Sequence, residues 1–166
     1  MSMAPPFFLR FYALPLSFRR LFLMIAVGAV VMESFWPGSP GTRSAAEVYF
    51  FNLAHPFLYG GLALAMLLRL DPGAPLRFTA SFAVLGLAGL AGALDEWHQS
   101  GVPGRDGTLL DWVADLLGAA AALWLASRLS QKRLPGFWIR FGGFSLLILC
   151  WTALVSFGFP LSSSVS

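Results

Sequence analysis

The chain has 166 residues, 57% of them hydrophobic and only 11% charged, with a mean hydropathy of +0.72, a composition that excludes a water-soluble domain of this size. A membrane-spanning helix takes roughly 20 apolar residues, so about five spans use nearly the whole chain and leave no room for a separate soluble domain. The net charge of +3 comes without a basic run interleaved with aromatics, which excludes a nucleic-acid surface, and no nucleic-acid partner is expected.

Residues 1–18, with aromatics around Arg10 and Pro15, read as an N-terminal segment lying at the membrane interface. A transmembrane domain over 19–159 follows. Its first span runs from Arg19 to Trp36, and no small-residue cleavage site precedes Glu33, so the span is expected to be retained rather than removed as a signal peptide. A Pro/Gly/Ser loop from Pro37 leads to a second span, Val48 to Leu68, which carries Asn52, His55 and Tyr59. A short loop around Asp71 and Pro72 precedes the third span, Leu76 to Trp97. That span is rich in Gly and Ala, which lets neighbouring helices approach closely, and it ends in Asp95, Glu96, Trp97, His98 and Gln99. After the loop GVPGRDG, a fourth span runs from Thr108 to Leu129 and a fifth from Phe137 to Phe159; the tail, 160–166, is expected to fray. The single cysteine, Cys150, sits in an apolar run and reads as passive packing.

Charge orients the bundle. With the N-terminus cytoplasmic, Arg10, Arg19, Arg20, Arg69, Arg77, Arg128, Lys132, Arg133 and Arg140 fall inside, and only Arg43 and Arg105 fall outside. Glu33, Glu47, Asp95, Glu96, Asp106, Asp111 and Asp115 fall outside or in the outer half, leaving Asp71 as the inner acid. An isolated charge at the bilayer centre costs about 2.5–3.5 kcal/mol on insertion scales, so clustering the acids near the outer surface relieves a heavy cost. The spans then bring acids and His55 within about two turns of their outer ends, and one polar pocket is expected there.

Helical phase agrees. Asn52, His55 and Tyr59 follow an i, i+3, i+7 pattern, and Asp111, Asp115, Gly118 and Ala122 make a second stripe. His98 points about 160° away from Glu96, so Asp95, Glu96 and His98 share a point only if the helix ends there. Thr108 to Asp111 spells T-x-x-D, so Asp111 reads equally as a helix cap and as a ligand. Arg105 either pins its loop through Asp106 or Asp111 or meets an anionic headgroup. Glu33, beside the interface, either snorkels or joins the site. The tryptophans read as interfacial belts and packing. D-E-x-H lacks the spacing of H-E-x-x-H, so no metal and no cofactor is expected.

The run LDEWHQSGVPGRDGTLLDWVADLLG, Leu94 to Gly118, resembles the signature of the VanZ-like family: an Asp-Glu pair, a His-Gln, a Pro-Gly-Arg loop and a later Asp. His55 with Tyr59 is similar to the family's other motif, so the resemblance is strongest over 32–125 and leaves the fifth span outside. The family often carries Asp-Lys before that histidine, where this chain has Phe51 and Asn52, and usually Asn where this chain has Asp115. The family is named for an accessory protein that raises teicoplanin resistance. The resemblance therefore implies a multi-pass protein of the bacterial cytoplasmic membrane, linked to the cell envelope and to glycopeptide antibiotic resistance.

The expected site comprises His55, Tyr59, Asp95, Glu96, His98, Gln99, Arg105, Asp111 and Asp115, forming an outer-leaflet pocket for the headgroup of a lipid-linked envelope precursor. The alternatives are an intramembrane acid/base enzyme acting on a lipid-linked substrate, and a small transporter or helper subunit.

Overall fold

The computed structural model describes residues 14–36, 44–70, 78–105, 107–130, 137–154 and 156. Among them are five helices and no strand: α1 (Leu16–Ser34), α2 (Ala45–Leu70), α3 (Phe78–Gln99), α4 (Leu109–Ser130) and α5 (Phe137–Ala153). The regular structure among the described residues is all-helical, as the composition implied. Most of the N-terminal segment, the first two loops and the tail 160–166 lie outside the described residues, as do Arg43 and Asp106.

Local chemistry sets the helix starts. Pro15 accepts backbone bonds from Phe18 and Arg19, and its fixed φ launches α1 at Leu16, inside the stretch read as interfacial. Ser44 and Glu47 form a reciprocal capping box: Glu47 Oε2 accepts from the Ser44 N–H at 2.7 Å, and Ser44 Oγ accepts from the Glu47 N–H at 3.3 Å. That box starts α2 three residues before the expected Val48. The end of α3 unwinds through Ser100, Gly101 and Val102 into a tight loop, where Gly104 holds φ at 76°, a region that disfavours side chains.

The α2–α4 pair is the most extensive helix contact, with α1 and α3 packed around it and α5 at the side. Small residues permit the closeness. A Cβ on Gly118 would overlap the Pro56 carbonyl oxygen, and one on Gly60 would lie 3.2 Å from the Gly118 oxygen. Pro56 sits inside α2 and removes one rung of its hydrogen-bond ladder, which frees this part of the helix to bend. Below this crossing, Ala63, Leu67, Val84, Ala88, Ala119, Leu123 and Ala126 form the buried core of α2, α3 and α4.

The ends of the bundle differ. At one end Arg19 at the start of α1 donates to the Leu68 carbonyl near the end of α2, and Arg69 and Arg128 close the last turns of α2 and α4. At the other end stand Glu33, Asp95, Glu96, Asp111 and Asp115. Between them the outer surface is apolar: Met24, Phe57, Leu90, Leu94, Leu109 and Leu146 are all exposed. Among the described residues two stretches, Ala46–Leu70 and Leu109–Leu129, are long and apolar enough to cross a membrane. Cys150 lies on the exposed side of α5 rather than in packing between helices.

Candidate functional site

Arg105 organises the acidic end. The loop after α3 brings its guanidinium back to the end of α1, where it donates to the Glu33 backbone oxygen at 3.0 Å and to Glu33 Oε1 at 2.6 Å, as well as to Gln99 Oε1. Gln99, 1% exposed, donates onward at 3.1 Å to both Glu33 Oε2 and Asp95 Oδ2. Tyr59 of α2 donates to the same Asp95 oxygen at 3.1 Å. One continuous chain of charge-assisted bonds thus joins α1, α2, α3 and the loop.

A second set ties α3 to α4. Glu96 Oε2 accepts the Thr108 backbone N–H at 2.7 Å, while Thr108 Oγ1 accepts from the Asp111 N–H at 3.1 Å and donates to Asp111 Oδ2 at 2.8 Å. Here the helix cap is shared: the N–H that a capping box would satisfy from its own helix goes instead to Glu96 of the neighbouring one. Gly107 makes room, because a Cβ there would overlap the Glu96 carbonyl.

His55 lies between the two sets. It is 4% exposed, and its Nδ1 is 3.1 Å from Asp115 Oδ1 and 3.9 Å from Glu96 Oε1, while Nε2 is 3.7 Å from Glu33 Oε1. Asp115 is fully buried, its second oxygen pressed over Gly92, where a Cβ would come within 2.9 Å. Asp95 Oδ1, Glu96 Oε1, Asp111 Oδ1 and Asp115 Oδ2 are buried without a hydrogen-bond partner. Two like charges 4 Å apart repel by about 4 kcal/mol at an effective dielectric near 20. A cluster of Glu33, Asp95, Glu96, Asp111 and Asp115 against Arg105 and His55 gathers more acidic than basic side chains in a buried place.

The structure places His55, Tyr59, Asp95, Glu96, Gln99, Arg105, Asp111 and Asp115 together at this end of the bundle. His98 stands at the rim. Its Nδ1 is 3.0 Å from Ser34 Oγ and its ring packs on Phe35 with centroids 4.3 Å apart, so it fastens α3 to the end of α1. Asn52 departs from its stripe-mates and donates to Ser156 Oγ at 3.1 Å, toward α5. Glu33, left open between snorkelling and membership, is the partner that Arg105 and Gln99 share. By donating to Glu33 and Gln99, Arg105 pins the loop to the end of α1.

Beside the cluster lies an apolar cavity of about 490 Å³, lined by Pro56, Phe57, Gly60, Gly118, Trp124 and Ile148 among others. It begins at Pro56, next to His55, and at Gly118, less than one turn beyond Asp115. Such a volume is within the range of small-molecule sites. The site belongs to the class of buried acid–histidine clusters held in a helical bundle. Comparison with protein-family models, curated proteins and solved structures finds no match to the chain.

Proposed function

We propose that the chain is a multi-pass protein of the bacterial cytoplasmic membrane, N-terminus inside, that binds the polar headgroup of a lipid-linked cell-envelope precursor in the acidic end of its bundle. The observation that carries this reading is the buried cluster around His55, with an apolar cavity starting one residue away at Pro56 and within a turn of Asp115 at Gly118. A polar cluster and an apolar cavity so near each other suit a ligand with a polar head and a hydrocarbon tail. The exposed belt of large apolar side chains supports a lipid surround, because a soluble monomer rarely exposes so much contiguous apolar surface. The basic and acidic ends support the orientation. The likeness of Leu94 to Gly118 to the VanZ-like signature supports the link to the envelope and to glycopeptide resistance. Carboxylates predominate in the cluster, so amines or sugar hydroxyls of the head group are the groups it recognises best.

Native mass spectrometry of the protein from membranes in mild detergent tests this. A polyprenyl-linked adduct is expected on the wild type and absent from Asp111→Asn, which removes a head contact. It is also expected to be absent from Gly61→Leu, which fills cavity-lining space where a Cβ meets nothing within 4 Å. A wild-type protein that carries only bulk phospholipid counts against the reading. Cysteine labelling that places Gly101 on the cytosolic face would overturn the orientation.

A second reading, an intramembrane acid/base enzyme, draws on the His55–Asp115 pair with Glu96 Oε1 unpartnered beside it. It requires turnover of a polyprenyl-linked substrate that disappears in Glu96→Gln.

A further inference from the structure

We propose that His55, Glu96 and Asp115 together hold a divalent first-row metal ion of the zinc or manganese kind. Inspection of α3 alone discourages the idea, because Asp95, Glu96 and His98 diverge around the helix. The three residues proposed here come instead from α2, α3 and α4, and one ligand atom from each lies within 4.8 Å of the others. His55 Nδ1 is 3.1 Å from Asp115 Oδ1 and 3.9 Å from Glu96 Oε1. An ion with bonds of about 2.0–2.2 Å sets tetrahedral ligands about 3.3–3.6 Å apart, between those two separations. Small side-chain rotations seat it.

Acidic residues gathered at one end do not by themselves define such a site. Glu96 Oε1 singles it out, because in a side chain 8% exposed this oxygen is buried, near His55 Nδ1, and takes no hydrogen bond. Its twin, Oε2, is committed to Thr108, so the carboxylate is held with one oxygen presented to the imidazole. The far side of the ring fits as well. A metal-bound imidazole turns its remaining N–H toward a carboxylate that fixes its tautomer. Glu33 Oε1 stands 3.7 Å from Nε2, braced by Arg105. The other candidate trio, Glu33, His55 and Asp95, is less open, since Glu33 serves Arg105 and Gln99 while Asp95 Oδ2 serves Tyr59 and Gln99.

One imidazole with two carboxylates selects a borderline divalent ion, since Mg²⁺ and Ca²⁺ take all-oxygen shells and Cu⁺ prefers sulfur. The ion would offset the excess negative charge of the cluster. This inference stands apart from the headgroup reading, because it is tested on lipid-free protein.

The full-length protein in detergent is stripped with EDTA, titrated separately with Zn²⁺ and Mn²⁺, passed over a desalting column and analysed for metal. About one ion per chain is expected on the wild type and under about a tenth on Asp115→Asn and Glu96→Gln, with Glu33→Gln weakening affinity about 10–100-fold. Glu47→Gln, at the exposed start of α2, is expected to bind as the wild type does. Cobalt loading gives an independent readout, as visible absorption bands that disappear in Glu96→Gln. Wild-type protein that retains neither ion, or full occupancy in both Asp115→Asn and Glu96→Gln, overturns the proposal. The wild-type titration decides by itself if a variant does not fold.

Discussion

The crossing of α2 and α4 sets up a graded test of packing. An added methyl at Gly118 meets the Pro56 carbonyl, a backbone atom that cannot rotate away, whereas at Gly60 it meets the Gly118 oxygen at 3.2 Å and at Gly61 nothing within 4 Å. Replacing helical glycine by alanine gains about 0.8–1.0 kcal/mol of intrinsic propensity, and overpacking costs typically about 1–3 kcal/mol, occasionally more. Gly61→Ala is therefore expected to stabilise by up to about 1 kcal/mol, Gly60→Ala to come out near zero, and Gly118→Ala to destabilise by about 2 kcal/mol or more. For a chain of this length each kcal/mol moves the melting midpoint by about 2–4 °C, so Gly118→Ala and Gly61→Ala should differ by roughly 6–12 °C. Tryptophan fluorescence during heating in detergent reads this directly. Equal midpoints for the two variants would refute the close approach of the helices.

Three further outcomes are expected. Arg105→Met strands the partly buried Glu33 carboxylate and should destabilise by about 3 kcal/mol, with Glu33→Met added to it restoring most of the loss; a double-mutant cycle in thermal denaturation checks the coupling. Thr108→Ala removes the cap of α4 and should cost about 1 kcal/mol, whereas Thr108→Ser should be close to neutral by the same measurement. Trp112→Phe removes the 2.8 Å bond to the Gly89 oxygen and should cost about 1–3 kcal/mol if that carbonyl finds no new donor, again read as a lower melting midpoint.

The helices were legible because their apolar runs are long and are punctuated by Pro and Gly. Their starts were less so: at α2 the box formed by Ser44 and Glu47 lies in a polar stretch that reads as loop, although S-A-A-E carries the capping pattern. Phase arguments found His55, Tyr59 and Asp115 because each is held on a regular helix, and they separated His98 from Glu96 correctly. They erred for Asn52, whose amide reaches sideways to Ser156, and could not place Glu33. The pairing of Glu33 with Arg105 depends on a loop fold around Gly104, which spacing within one helix does not encode.

Glu96 has one oxygen on the backbone N–H of Thr108, just before α4, and the other near the imidazole. Anything that draws the carboxylate toward His55 must loosen its hold on Thr108. The amide of that threonine is thereby a built-in gauge, whose exchange with deuterium should quicken when the Glu96 carboxylate is drawn away.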